Sequence, residues 1–252
     1  PISLRPVLTN LESATNYNQI YEELSKLSLC IYTPSNYIFP SKMQKYIDLT
    51  HNKGNELTQT GREQGIRKLM SVNLLKRLES SVNSFQLTLQ RIYSLINDTV
   101  DKINRFEQYG TSSIDMYESS DTEWDIDDSN TEYFTVGNKV QIDLADMDYK
   151  TWRMELNSDI QVLEGLMSML NTITSEFDGK LQSLLKVVSE KIENPININN
   201  KKILIFSAFS DTAEYLYEHV SAYIKEKYGL NTAVITGSID GKTTIKNFKA
   251  TL

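Results

Sequence analysis

Gly237-Ser-Ile-Asp-Gly241-Lys242-Thr243 is the stretch whose residue types come closest to carrying chemistry. Glycines, a lysine and a threonine between a strand-like and a helix-like run have the composition of a phosphate-binding loop. That loop needs four residues between its glycines. Here Ser238, Ile239 and Asp240 are the whole interval, and Asp240 would set a carboxylate where backbone amides and a lysine should collect negative charge. Gly237, Gly241, Lys242 and Thr243 are therefore read as a look-alike, and no cofactor is expected to bind them. Asp121, Glu123, Asp125 and Asp127 alternate as calcium ligands can. They lack the central glycine and the closing glutamate of a calcium loop, so no metal is expected there. Cys30 is the single cysteine, and His51 and His219 are the only histidines. A Cys/His zinc site and an intrachain disulfide are not expected, which suits a reducing, cytoplasmic setting.

The elements that would position such groups can be read from apolar spacing. Leu75, Leu78, Val82, Phe85, Leu89, Ile92, Ile96, Thr99, Ile103 and Phe106 recur at steps of three and four, which predicts one apolar stripe on a long helix ended by Gly110. Ile160, Leu163, Met167, Leu170, Thr174, Phe177, Leu181, Leu184 and Val188 form a second run, with Trp152 upstream and Asp178 as a possible N-cap of a new helix. Two such helices usually pack antiparallel. The expected fold is mostly α: a long antiparallel helical hairpin over residues 60–193, with a flexible acidic loop at 111–132. The competing expectation is a compact bundle made with residues 1–59, since periodicity does not choose the partner. Residues 1–59 read as a small helical and irregular segment. Tyr17–Tyr32 has helical spacing, Pro34 and Pro40 are breaks, and 51–60 is a polar loop.

After the polar linker 194–200 the pattern changes. Ile203–Phe206 has the length of a strand. Asp211 and Glu214 have capping-box spacing before a helix whose inward residues are Ala213, Leu216, Val220 and Tyr223, and Gly229 closes it. Thr232–Thr236 is the next strand, and Thr243–Phe248 the opening of a further helix. Strand, helix, strand predicts a right-handed crossover and a parallel pair. Two strands are too few for a sheet covered on both faces, and Pro1 is not an initiator. The expectation is a piece of something longer.

Lys202-Ile-Leu-Ile-Phe-Ser207, Phe209, Asp211-Thr-Ala213 and Tyr215-Leu216 resemble the start of the second RecA-like lobe of superfamily 2 helicases, of the Swi/Snf type. Asp178-Gly-Lys180-Leu181 with Leu184-Leu185 resembles the helix before that strand, Val234–Ser238 the next strand and turn, and Ile245 with Phe248 the helix after it. The run Arg67-Lys-Leu-Met70, Leu74-Leu-Lys-Arg77 and Phe85 is similar to a helical insertion in bacterial helicase-related proteins. The resemblance implies that residues 194–252 open a truncated RecA-like βαβ unit. It implies a parent that hydrolyses ATP with Mg and moves on nucleic acid, double-stranded DNA above all. The phosphate loop and Asp-Glu-x-His of the first lobe, and the arginine-finger element of the second, are absent from the sequence. This segment by itself is thus expected to be inactive, with no catalytic residue. Ser207, Phe209 and Thr236 are the backbone contacts the resemblance implies. Arg67, Lys68, Lys76 and Arg77 form a basic patch that either joins them or is a solvated face paired with Glu63 and Glu79.

A net charge of −7 does not suit a free-standing DNA-binding domain, though local patches matter more than the sum. No apolar window approaches the ~18 residues of a membrane span. The alternative function is a scaffolding module that docks a protein partner through the hairpin.

Overall fold

The computed structural model describes residues 3–9, 16–47, 59–110, 113–115, 141–237 and 241–245. The acidic run 116–132, most of the expected loop at 51–60 and the stretch from 246 onward lie outside the described residues. The described chain is mostly helical: α1 (Tyr17–Leu24), α2 (Gln44–Ile47), α3 (Gln59–Ser80), α4 (Val82–Tyr109), α5 (Tyr149–Leu170), α6 (Gly179–Glu193) and α7 (Ser210–Tyr228). Two antiparallel strand pairs complete it, β1 (Ser113–Asp115) with β2 (Gln141–Asp143) and β3 (Ala233–Val234) with β4 (Lys242–Thr243). No helix among the described residues is long and apolar enough to cross a membrane.

The antiparallel hairpin is formed by α4 and α5. Arg153 donates to Glu107 (2.5 Å) and Asn104 (3.0 Å), Phe106 packs edge-on against Tyr149, and Tyr93 donates to Glu164. These pairs can coexist only if the two helices run in opposite directions. The apolar stripe behaves as the spacing predicts from Leu78 to Ile103, all of it buried. Leu75 does not: it is 38% exposed, and Met70, Leu74 and Leu78 carry the inner face of α3. The single long helix is in fact two. Ser81 is extended (φ −154°, ψ 153°) and its hydroxyl accepts from Ser84 N, capping α4. At Gly110 the backbone turns left-handed (φ 73°) and ends α4 as expected.

The hairpin does not stand alone. Ile20, Leu29, Cys30, Tyr32 and Ile38 enter the same core as Phe85, Ile96, Trp152 and Leu163. This is the bundle expectation, with the N-terminal residues as its extra layer. The helical spacing across Tyr17–Tyr32 is not continuous: α1 ends at Leu24, and Cys30–Tyr32 and Pro34–Tyr37 are short 3-10 turns. Between them Leu29 is left-handed (φ 52°), held there because the Asp159 carboxylate of α5 accepts from Ser28 N (2.7 Å), Ser28 Oγ (2.9 Å) and Cys30 N (3.3 Å).

Asp146 pins α2 to the turn before α5. It accepts from Lys45 Nζ (2.6 Å) and Tyr46 OH (2.7 Å), with Lys42 at 3.3 Å. The Lys45 hydrogen bond, then that of Tyr46, lowers its pKa from 3.8 to about 2. A carboxyl depressed on folding stabilises the fold above its unfolded value and loses that contribution as pH falls through the folded one. Asp146→Asn should therefore lower Tm at neutral pH. It should also flatten the acid limb of Tm against pH between 3.8 and about 2, as read by circular dichroism melts.

The second run of apolar spacing divides its partners. Leu163 and Leu170 face the bundle, and α5 ends at Leu170. Asp178 then caps α6 as expected, accepting from Lys180 N and Leu181 N. Leu181, Val188 and Ile192 of α6 pack with Val220 and Ile224 of α7 in a separate core.

The expected parallel pair is not formed among the described residues. Ile203–Phe206 carries no ladder, and β3 pairs antiparallel with β4 instead. Thr243 is in β4, and Thr244 and Ile245 bend rather than opening a helix. Two residues per strand is a short pairing, held partly by Thr232, which accepts from Thr244 N and Thr243 Oγ1.

Candidate nucleic-acid interface

The expected contact residues separate into two groups. Arg67, Lys68 and Lys76 are exposed on the outer face of α3. Lys68 and Lys76 are two helical turns apart and flank Val72 and Leu75 on that face, both partly exposed. Their proposed ion-pair partner Glu63 is elsewhere. It is buried and accepts from Ser35 N (3.0 Å) and Ser35 Oγ (2.6 Å).

Arg77 is different, and its assignment to a solvated basic patch is corrected. It is 1% exposed. Its Nη1 donates to Asp211 Oδ2 (2.8 Å) and to Ser84 Oγ (3.1 Å), and its guanidinium lies 4.5 Å from the Phe209 ring centroid. A guanidinium so enclosed can spread its charge over an aromatic face. It cannot also reach a phosphate in solvent. Phe209 is corrected for the same reason: it is buried beneath Arg77. Ser207 is exposed, and its hydroxyl folds back locally, accepting from Phe209 N (3.2 Å) and donating to Phe209 O (3.1 Å). Thr236 is half-buried just after β3.

Asp211 sits in the first turn of α7, where a carboxylate is favoured by the helix dipole. It is not the N-cap residue: Phe209 holds that position and makes no side-chain cap bond. Instead Asp211 meets Arg77, with Arg91 at 3.6 Å. Beside it, Thr212 Oγ1 lies 2.8 Å from Ser80 Oγ and 3.0 Å from Ser81 Oγ. Lys180 of α6 donates to the carbonyls of Leu78 and Glu79 at the end of α3. Burial pushes that ammonium below the ordinary lysine range, against the pull of Asp178 and Glu79. Tyr215 donates to Asp178 (3.0 Å), and burial together with that carboxylate raises its phenol well above the usual value. Sequence spacing marked Asp211 as a capping residue. Nothing in the local pattern pointed to an arginine 134 positions away.

The phosphate-loop look-alike resolves as a connection between two antiparallel strands. Gly237 and Gly241 flank it, and Lys242 and Thr243 form β4. Lys242 is exposed, and the Thr243 hydroxyl donates to Thr232 O (3.1 Å). A nucleotide loop must deliver its lysine and threonine onto the start of a helix. Lys242 and Thr243 stand in a strand instead.

No family model matches the chain, and no curated protein or solved structure matches it significantly.

The positions also set a contrast between the basic residues. Arg77→Ala should cost about 2 kcal/mol, the worth of hydrogen bonds to a charged group, because Arg91 still faces Asp211. Arg67→Ala and Lys68→Ala should stay within about 0.5 kcal/mol of the parent, as exposed substitutions do. Urea melts of the three variants compare them directly.

Proposed function

We propose that this chain is a segment of an ATP-driven motor of the Swi/Snf type, a helical insertion followed by the opening of the second RecA-like lobe. The observation that carries the reading is the apolar segment Ile203–Phe206 between α6 and α7. Ile203 packs into their core, while Leu204 and Phe206 are 84% and 89% exposed. Neighbouring residues on a strand point to opposite faces, so this segment is apolar on both. Strands of that kind belong to parallel sheets covered on each side by helices. The order α6, apolar run, α7, apolar run agrees with the motor resemblance. The reading requires Ile203–Phe206 and Thr232–Thr236 to become neighbours once the other strands of the lobe are present.

In that motor, ATP and Mg are held by residues outside this chain, and the chain alone is inactive. The exposed Arg67, Lys68 and Lys76 are then the groups that could meet a DNA backbone without reading sequence, while the Ser207 hydroxyl is engaged by Phe209 and the Thr236 hydroxyl is buried. A scaffolding role through the α4–α5 hairpin has less to work with. Its apolar stripe is already taken up by the bundle's own core, so a protein partner would meet mostly polar outer faces, with Tyr109 and Met154 the large apolar side chains exposed there.

Two measurements test the proposal. Titrating ATP with magnesium into this chain by calorimetry should give no binding heat. Micromolar binding abolished by Lys242→Ala would overturn the reading. The product of the complete reading frame should hydrolyse ATP, faster with duplex DNA. Absence of any DNA-stimulated hydrolysis there would sink the motor assignment.

A further inference from the structure

Two hydrophobic cores meet along a polar seam. One lies within α1–α5, and the other is formed by Leu181, Val188 and Ile192 of α6 with Val220 and Ile224 of α7. Phe209, the buried aromatic at their boundary, belongs to neither core. What joins them there is polar: Asp211 between Arg77 and Arg91, Thr212 against the hydroxyls of Ser80 and Ser81, Lys180 on the carbonyls ending α3, and the backbone of Leu8 and Thr9 paired with Gly179 and Asp178 at the foot of α6. The covalent link is the turn-rich stretch between Leu170 and Gly179. Units with separate cores and a polar interface move relative to one another unless something holds them. A buried ion pair is suited to that role, because it fixes one geometry while adding little net stability over an apolar contact.

We infer that α6 and α7 form a unit that swings from the helical bundle about residues 174–177, and that Asp211, clasped by Arg77 and Arg91, is the latch that holds it closed. The geometry explains why Asp211 and not an arginine is the critical member. Removing one guanidinium leaves the carboxylate another. Removing the carboxylate's charge leaves two guanidiniums facing each other, one of them fully enclosed. Opening the seam hydrates both and relieves that cost. The chain can take this route because each side keeps its own core when they part. The Ser207–Phe209 turn leads straight into α7, so the latch also sets where that turn stands relative to α3. The inference uses this chain alone and holds whether or not the motor reading does.

Spin labels at Met154→Cys on α5 and Glu226→Cys on α7, both exposed positions, report the distance across the seam by pulsed dipolar spectroscopy. With the latch intact, a single narrow distance is expected. Asp211→Asn should add a second, longer population at the expense of the first. A Ser80→Cys/Thr212→Cys cross-link, oxidised before labelling, should restore the narrow distance in the Asp211→Asn background. A merely structural contact would not be rescued that way. Should Asp211→Asn lose its helical signal, Asp211→Ser, which also removes the carboxylate, is measured in its place. An unchanged distance in a folded variant overturns the latch. So does loss of the bundle's helicity in both variants, since the two sides would then be one cooperative unit.

Discussion

Asp159→Ala should destabilise the chain by about 3 kcal/mol or more, since bonds to a charged acceptor are each worth about 1.5–3 kcal/mol and do not add in full. The carboxylate is buried and accepts from Ser28 N, Ser28 Oγ and Cys30 N. Truncation leaves Ser28 N without its acceptor and Cys30 N with only the Ser28 hydroxyl (3.2 Å). It also removes what holds Leu29 at φ 52°, a conformation that costs a non-glycine residue roughly 1–2 kcal/mol. The Ser28–Tyr32 turn should then relax, taking Leu29 and Tyr32 out of the core. Asp159→Asn keeps one acceptor oxygen and should cost less. Urea melts give the ordering, and amide exchange at Ser28 and Cys30 locates the damage. Equal stability of Asp159→Ala and the parent would contradict the role assigned to this carboxylate.

Trp152→Ala is expected to be the most damaging single truncation, at about 3–5 kcal/mol. The indole is buried where α5, the 3-10 turns and the rest of the core converge. Its Nε1 donates to the Cys30 carbonyl (3.2 Å), and its ring lies 5.9 Å from that of Tyr37. Alanine leaves a cavity that several elements must collapse to fill. Trp152→Phe keeps most of the packing and loses the hydrogen bond, so the difference between the two variants isolates the cavity. Because Asp159 and Trp152 both grip the Ser28–Tyr32 turn, the double variant should cost less than the sum of the singles. Strict additivity would show that the turn is not their common target.

Much of the helical architecture was legible in one dimension. The stripe from Leu78 to Ile103, the stop at Gly110, the cap at Asp178 and the closing glycine at Gly229 follow from local rules. A helix period and a cap depend on residues a few positions apart. The break at Ser81 was missed because the steps of three and four run through it unchanged. A serine that caps and a serine inside a helix look alike until the chain turns.

The candidate site was less legible. Basic residues on α3 read as equivalent, yet Arg67 and Lys68 face solvent while Arg77 is enclosed with Asp211 and Phe209. Which face of a helix carries a charge into the interior depends on what packs there.

The sequence by itself determined where helices start, stop and present apolar faces, because those are matters of neighbours along the chain. Only the tertiary structure decided that α4 and α5 pack with the N-terminal turns, that α6 leaves them for α7, and that Asp211 reaches across to Arg77. Two of those choices pair residues more than a hundred positions apart, and the spacing of residues along one segment carries no information about which distant segment it will meet.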